Sequence, residues 1–320
     1  MTTRPRLLQI LPMPPALEAR LRATYEVVQL PPPDERAAFL SAEGPGFTGA
    51  VTSAAVGIDA SLIEALPNLK VISSFGVGLD KLDLAAAARR GIAVGYTPDV
   101  LNDCVADLAF ALMLAVARGV VTGDRHVRSG AWEGPPTAAK FPLGRKVSGA
   151  KLGILGLGRI GRTVARRAAG FDMEVHYHNR RPVPDVPWAH EPSLTALAAW
   201  ADFLVVIAAG GPETRHLVNA EVLDALGPQG FLVNVARGSV IDEAALVQAL
   251  TERRIAGAGL DVFEHEPVVP PALFALDNVV LLPHIASGTV ETRQAMADRV
   301  ADNLDAWFRD GRLVSAAPLP

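Results

Sequence analysis

Three ionisable side chains in the second half of the chain are of types that can reduce a keto group. Arg237, Glu266 and His284 each follow closely on a short apolar run. An arginine can bind and polarise an acidic substrate, and a histidine can donate a proton to a carbonyl oxygen while a hydride reaches the carbon. A carboxylate that holds the imidazole's other N–H favours the protonated ring. The set therefore predicts reduction of a 2-oxo acid, if a hydride donor binds nearby.

Each of these residues also has an ordinary structural interpretation. Arg237 can cap a helix or pair with Asp242. Glu266 precedes a proline, a loop setting in which carboxylates are usually solvated, and His284 can be a hydrogen-bonded core histidine. Their order in the chain, after a dinucleotide motif, favours the catalytic interpretation.

That motif is a glycine-rich turn between an apolar strand pattern and a helical pattern. It comprises Gly156, Leu157, Gly158, Arg159, Ile160 and Gly161. The first glycine permits a tight turn, the second lets the backbone approach a pyrophosphate, and the third lets helix and strand pack closely. The N-terminus of the helix supplies N–H donors and a positive dipole to the phosphates. The turn predicts a dinucleotide site rather than a merely tight connection.

The residues after the next strand indicate which dinucleotide binds. An NAD site usually has an acidic residue about 20 positions after the glycines, to bind the ribose hydroxyls. Here Asn179 is followed by Arg180 and Arg181, and no carboxylate stands at the expected place. Guanidinium groups pair with a 2′-phosphate that a carboxylate would repel. We therefore predict NADPH as the preferred cofactor, with NADH possible; the alternative is a solvated turn with two surface arginines.

Composition and charge exclude several classes of protein. The chain has 320 residues, half of them hydrophobic, which suggests a globular protein of two domains. A net charge of −4 argues against a standing nucleic-acid partner. The single cysteine, Cys104, fits a reducing cytoplasm, and the longest apolar run, Leu108–Ala117, is too short for a bilayer.

His176 and His178 alternate on a predicted strand without further ligands, so no metal site is expected.

Short β-rich runs alternate with helical patterns along nearly the whole chain. The first series comprises Leu7–Ile10, Glu26–Leu30, Ala50–Thr52, Val71–Ser74 and Ala93–Gly95, and the second Leu152–Leu155, Glu174–Tyr177, Phe203–Ile207, Phe231–Asn234, Gly257–Leu260 and Val279–Leu281. Alternation of this kind predicts parallel sheets covered by helices on both faces. We expect an α/β protein with two Rossmann- or flavodoxin-like, doubly wound domains and a hinge between them. A long helical pattern, roughly Asn102 to Val127, lies between the two series. The last helical pattern, about Thr289 to Arg309, can pack on the second domain or return to the first.

The motifs, in this order, resemble those of the D-isomer-specific 2-hydroxyacid dehydrogenases, and most closely the NADPH-using glyoxylate/hydroxypyruvate reductases. The resemblance covers nearly the whole chain and rests on Phe75–Asp80, Val105–Leu108, the glycine-rich turn, Pro212–His216, Asn234–Gly238, Leu260–Pro267 and Leu282–Thr289. It implies that Arg237, Glu266 and His284 carry the roles argued above.

The resemblance implies that the last helix returns to the first domain, so the predicted substrate domain is 1–100 plus 288–320 and the predicted dinucleotide domain is 101–287. It also implies further contacts and partners. Backbone N–H groups of Val77 and Gly78 would hold the substrate carboxylate, with the substrate bound between the two domains. Additional cofactor contacts are implied at Pro212, Val235, Ala236, Asp261 and Ser287. A homodimer built around the cofactor domains is implied, and in some members a tryptophan, here compared with Trp132, reaches the neighbouring site.

Two other functions remain open at this point. Loops that line the pocket decide which acid is reduced, so the chain can instead act on phosphoglycerate, a branched 2-hydroxy acid or formate. A dehydrogenase fold can also serve as a non-catalytic dinucleotide sensor. The complete set of Arg237, Glu266 and His284 favours an enzyme.

Overall fold

The computed structural model of the chain describes residues 4–133 and 141–320. The contacts within the chain divide it into two compact units, one formed by Met1–Leu101 and Thr289–Pro320 and the other by Asn102–Gly288. Each unit contains one parallel β-sheet. The predicted fold class, two doubly wound parallel-sheet α/β domains, is therefore confirmed.

The strands and helices follow in chain order. The strands are β1 Arg6–Gln9, β2 Glu26–Gln29, β3 Gly49–Ser53, β4 Val71–Phe75, β5 Ala93–Gly95, β6 Lys151–Leu155, β7 Glu174–His178, β8 Ala189–His190, β9 Phe203–Val206, β10 Phe231–Asn234, β11 Gly257–Leu260 and β12 Val279–Leu281. The α-helices are α1 Pro15–Thr24, α2 Arg36–Glu43, α3 Ala60–Glu64, α4 Leu84–Arg89, α5 Asn102–Arg118, α6 Val120–Arg128, α7 Arg159–Ala168, α8 Leu194–Trp200, α9 Ala220–Leu226, α10 Glu243–Thr251 and α11 Val290–Asp310.

The first unit is built on a five-stranded sheet in the order β2-β1-β3-β4-β5. Every residue of β3 and β4 is buried, as expected for central strands covered on both faces. The last helix, α11, packs on β4, where Ser73 donates a hydrogen bond to the carbonyl oxygen of Val300 at 3.1 Å. The C-terminal segment therefore belongs to the same unit as the N-terminal strands.

The second unit contains a seven-stranded sheet in the order β12-β11-β10-β9-β6-β7-β8. The strand order reverses between β6 and β9, and ligands of open α/β sheets bind at such a reversal, beyond the carboxyl ends of the strands. The glycine-rich turn follows β6 directly. β8, which has only two residues, was not predicted from the sequence because two residues carry no periodicity.

The predicted continuous helical segment from Asn102 to Val127 is wrong in one respect, since it is broken into α5 and α6. Gly119 separates them with a φ of 62°, a left-handed conformation that ends α5, and the two helix axes differ by 60°. Within residues 4–133 and 141–320, no single helix is long and apolar enough to cross a membrane, although this bent pair passes that test jointly. α5 packs on α7, β10 and β11 as a core helix of its unit.

Candidate active site

The glycine-rich turn lies between β6 and α7, and its three glycines meet three different requirements. Gly156 has a φ of 104°, and a Cβ there would lie 2.7 Å from the backbone nitrogen of Ala208. A Cβ at Gly161 would lie 2.2 Å from the carbonyl oxygen of Gly156, so glycine is needed for close helix–strand packing. A Cβ at Gly158 would have no described atom within 4 Å. This opening at the N-terminus of α7 fits the pyrophosphate of a dinucleotide.

A cavity of about 580 Å³ lies beside this turn, at the carboxyl ends of β6, β7 and β9. It is lined by Leu155, Gly156, His178, Asn179, Arg180, Arg181, Ala208, Ala209, Thr214 and Leu217. Asn179 connects the cavity to the turn, because its Oδ1 accepts a hydrogen bond from the backbone N–H of Leu157 at 2.7 Å. The cavity thus extends from Gly156, the first glycine of the turn, to the residues predicted to select the dinucleotide.

One of the two arginines in the cavity lining has a carboxylate partner. Arg180 forms an ion pair with Glu213, and the two side chains are 80% and 71% exposed. Exposed pairs of this kind contribute little to stability, so a phosphate can displace the carboxylate at small cost. Arg181 lies in the same lining. Contact of either guanidinium with a 2′-phosphate stays a prediction.

His284 and Glu266 are in direct contact. Nδ1 of His284 lies 2.7 Å from Oε2 of Glu266, while Oε1 of Glu266 accepts a hydrogen bond from the backbone N–H of Phe263 at 3.1 Å. Because an acceptor faces Nδ1, that nitrogen carries a hydrogen, and Nε2 is the atom left to exchange a proton with a substrate. The geometry is that of a general acid held by a carboxylate.

The environment keeps Glu266 ionised. Burial opposes the charge, but the hydrogen bond to His284 and the charges of His284 and Arg237 outweigh it and lower the pKa of Glu266 from its ordinary 4.5. The backbone N–H of Phe263 acts in the same direction. Glu266 is therefore an anion over the whole neutral range.

We expect the stabilisation from this carboxylate to be present at neutral pH and lost in acid. Because its folded-state pKa is lowered, the contribution is complete above the unfolded value and disappears as the pH falls through the folded value. Thermal unfolding of the wild type and of Glu266→Gln between about pH 3 and pH 8 measures it. The difference in Tm should shrink below about pH 4.5. A difference that stays constant into acid would contradict the assignment.

Asp261 shapes the segment that carries His284. Its carboxylate is fully buried, and its two oxygens accept hydrogen bonds from the backbone N–H groups of Ile285 at 2.7 Å and Ala286 at 2.8 Å. Burial raises the pKa of Asp261, with a smaller contribution from the charge of Glu266, against the lowering effect of these N–H groups and of His284. The sequence did not indicate this positioning role. The implied contact of Asp261 with the cofactor stays a prediction.

Arg237 begins a tight turn at the end of β10. Asn234 fixes the turn, because its side chain donates to the carbonyl oxygen of Arg237 at 3.0 Å and accepts from the N–H of Ala236 at 3.0 Å. The following residue, Gly238, packs so closely on the segment before Glu266 that a Cβ would lie 1.9 Å from the carbonyl carbon of Phe263. The charge of Arg237 acts on Glu266. The three predicted catalytic residues therefore meet in one unit.

For the remaining predicted site residues, the structure gives the position in the chain's fold, and their contacts with substrate or cofactor stay predictions. Val77 and Gly78 belong to the first unit, and their contact with a substrate carboxylate stays a prediction. The same holds for the cofactor contacts of Arg159, Ile160, Pro212, Val235, Ala236 and Ser287. Trp132 is 68% exposed, and its reach into the active site of a partner subunit stays a prediction.

Across residues 4–133 and 141–320, no group of three or more His, Cys, Asp and Glu side chains is arranged to hold a metal ion.

Comparisons with known proteins identify the family of the chain. Residues 110–286 match the NAD binding domain of the D-isomer specific 2-hydroxyacid dehydrogenases. A 2-ketogluconate reductase of Gluconobacter oxydans (strain 621H) is 45% identical over 315 residues, which cover 98% of this chain and 99% of that protein. A glyoxylate/hydroxypyruvate reductase of Arabidopsis thaliana is 46% identical over 309 residues, with 97% of each chain covered.

The chain is also similar in fold to a solved structure. An NADPH-dependent glyoxylate/hydroxypyruvate reductase from Sinorhizobium meliloti, in complex with NADP and malonate, superposes with a TM-score of 0.91. It is 43% identical, and the match covers 98% of this chain and 97% of that one. The similarity thus extends over both units in sequence and in fold.

Proposed function

The chain belongs to the D-isomer-specific 2-hydroxyacid dehydrogenases, which are NAD(P)-dependent, and we propose that it uses NADPH to reduce a small 2-oxo acid such as glyoxylate or hydroxypyruvate. The observation that carries this proposal is the 2.7 Å contact between His284 and Glu266, in the unit whose sheet also bears the glycine-rich turn. The relatives named above, two of them glyoxylate/hydroxypyruvate reductases, support the substrate class.

In the proposed mechanism, each residue has a separate task. Arg237 binds the anionic substrate and polarises its carbonyl group. The glycine-rich turn and the cavity beside it would hold NADPH, which would supply the hydride for the carbonyl carbon. Nε2 of His284 donates a proton to the carbonyl oxygen, which becomes the hydroxyl of the 2-hydroxy acid, and the ring recovers a proton from solvent. Glu266 stays ionised, holds Nδ1–H and stabilises the protonated ring.

A panel of substrates tests the proposed reaction. Values of kcat/KM are measured with NADPH for glyoxylate, hydroxypyruvate, 2-ketogluconate, phosphohydroxypyruvate and a branched 2-oxo acid. We expect glyoxylate or hydroxypyruvate to give the highest value. The identity to a 2-ketogluconate reductase makes 2-ketogluconate the second candidate, and its preference would move the substrate class to sugar acids. No turnover with any member of the panel would overturn the proposal.

Replacing both Arg180 and Arg181 by Ala is expected to weaken the use of NADPH selectively. Charge-assisted hydrogen bonds to a phosphate are each worth about 1.5–3 kcal/mol, so kcat/KM for NADPH should fall at least about tenfold. The value for NADH, which lacks the 2′-phosphate, should change less than about threefold. The matched control is Arg253→Ala, an exposed arginine paired with Asp277 elsewhere in the same unit. Equal losses with both cofactors would contradict the proposed role.

We propose further that the protein is a cytoplasmic homodimer. Apolar side chains of α6 and the segment after it, at Val120, Val127 and Trp132, are more than half exposed. Val120 and Val127 are seven positions apart and so lie on one face of α6, and exposed apolar patches mark interaction surfaces of proteins. Light scattering coupled to size exclusion should give twice the 33.7 kDa mass of the chain. A monomeric mass at micromolar concentration would contradict the homodimer.

A further inference from the structure

Glu264 is a nearly buried carboxylate that the proposed mechanism does not use. Its side chain is 10% exposed and lies between two basic side chains of a distant loop. Oε1 of Glu264 is 2.7 Å from Nη2 of Arg215 and 3.0 Å from Nε2 of His216. A carboxylate that is so little exposed to solvent requires such partners, so the side chains of Glu264, Arg215 and His216 form one connected cluster.

The backbone around Glu264 is fixed to the catalytic residues. The N–H of Glu264 donates to Oε1 of Glu243 at 3.1 Å, and the preceding N–H, that of Phe263, donates to Glu266. A Cβ at Gly238 would lie 2.2 Å from the nitrogen of Glu264, so the turn that carries Arg237 rests on the same peptide. A displacement of Glu264 would therefore move the supports of the Glu266 carboxylate.

The loop that contains Arg215 and His216, residues 212–217, contributes to the lining of the cofactor cavity. Thr214 and Leu217 line that cavity, and Arg215 and His216 lie between them in the chain. His216 has a φ of 52°, an uncommon conformation for a residue other than glycine. It is held by the bond to Glu264 and by its own N–H, which donates to the carbonyl oxygen of Ser239 at 2.9 Å.

We propose that Glu264 is a positioning residue that connects the cofactor-lining loop 212–217 to the Glu266–His284 pair. Through Arg215 and His216 it fixes the segment 263–266, and through that segment it keeps the Glu266 carboxylate against Nδ1 of His284. Glu264 itself touches neither substrate nor cofactor in this proposal. The inference rests on the proposed function for its effect on turnover, but the hydrogen bond that it concerns can be observed without turnover.

Two substitutions test the proposal. Glu264→Ala removes the acceptor for both basic side chains, whereas Glu264→Gln keeps an Oε1 that can accept both hydrogen bonds. Small misplacements of catalytic groups cost up to about 100-fold in rate, so we expect kcat of the alanine variant to fall between about tenfold and 100-fold. The loop stays anchored in this variant by the hydrogen bond from the N–H of His216 to the carbonyl oxygen of Ser239, so the dissociation constant of NADPH should change less than about threefold. The glutamine variant should keep kcat within about threefold of the wild type. The control is Asp224→Ala, a surface carboxylate paired with Arg254.

A spectroscopic measurement separates this proposal from the proposed function. In ¹⁵N-histidine-labelled protein, the Nδ1–H proton of His284, assigned by its absence in His284→Asn, reports the hydrogen bond to Glu266. We expect this resonance to lose its downfield position in Glu264→Ala and to keep it in Glu264→Gln and Asp224→Ala. If the wild type reduces no 2-oxo acid, the proposed function fails. This resonance alone then decides whether Glu264 is a positioning residue.

Two results would overturn the positioning role. One is an unchanged Nδ1–H resonance in Glu264→Ala. The other is a kcat of Glu264→Ala within about twofold of the wild type, in a protein shown to turn over. A lower Tm with normal kcat and normal resonance would likewise assign Glu264 to stability alone.

Discussion

Replacement of His284 by Asn is expected to lower kcat about 10²- to 10⁴-fold, the range in which a positioned general acid contributes. Asn lacks a titratable nitrogen, so the proton for the carbonyl oxygen would have to come from water. Binding of NADPH, measured by fluorescence titration, should change little, because the cavity and the glycine-rich turn contain no part of His284. The variant therefore separates cofactor binding from chemistry.

The matched control for this variant is His265→Asn, since His265 is an exposed histidine next to Glu266 in the chain. It should keep kcat within about twofold, because no proton transfer is assigned to it. If His284→Asn retained more than about a tenth of the wild-type kcat, another group would have to donate the proton.

The second large effect is expected for Arg237→Lys. An ammonium keeps the positive charge but cannot make two parallel hydrogen bonds to a carboxylate or hold a carbonyl and a carboxylate oxygen together. Loss of one charge-assisted hydrogen bond costs about 1.5–3 kcal/mol, so kcat/KM for the 2-oxo acid should fall about 10- to 100-fold or more. The change should appear strongly in KM, since the substrate is bound by this group before the reaction.

Two comparisons make this result specific to Arg237. Arg253→Lys, an exposed arginine paired with Asp277, should leave both constants unchanged. The dissociation constant of NADPH should be the same in the wild type and in Arg237→Lys. A normal KM together with a normal kcat in Arg237→Lys would remove this arginine from substrate binding.

Most of the fold was predictable because its signals are local. Apolar strands such as β9 and β10 lie in the centre of a parallel sheet, so their burial on both faces is visible as uninterrupted apolar residues. The family resemblance inferred from the order of motifs is confirmed by the comparisons. The break at Gly119 was missed, because an isolated glycine in a helical pattern is often tolerated.

The site was predictable only in part, because side-chain contacts join positions far apart in the chain. The types and order of Arg237, Glu266 and His284 indicated their chemistry before their geometry was known. Nothing local to the sequence indicated that Glu264 pairs with His216, 48 positions away, since the pairing depends on how two loops meet at the edge of the sheet. The same applies to the ion pair of Arg180 with Glu213.

Transfer of an isotopic label tests the central claim most directly. Glyoxylate or hydroxypyruvate is incubated with the wild-type protein and with NADPH deuterated at C4 of the nicotinamide, using each of the two C4 epimers in turn. We predict that one epimer gives a 2-hydroxy acid with a single deuterium at C2, one molecule for each NADPH oxidised, and that the other gives an unlabelled acid. Oxidation of NADPH without a 2-hydroxy acid, or an acid without deuterium from either epimer, would contradict direct hydride transfer to the keto carbon.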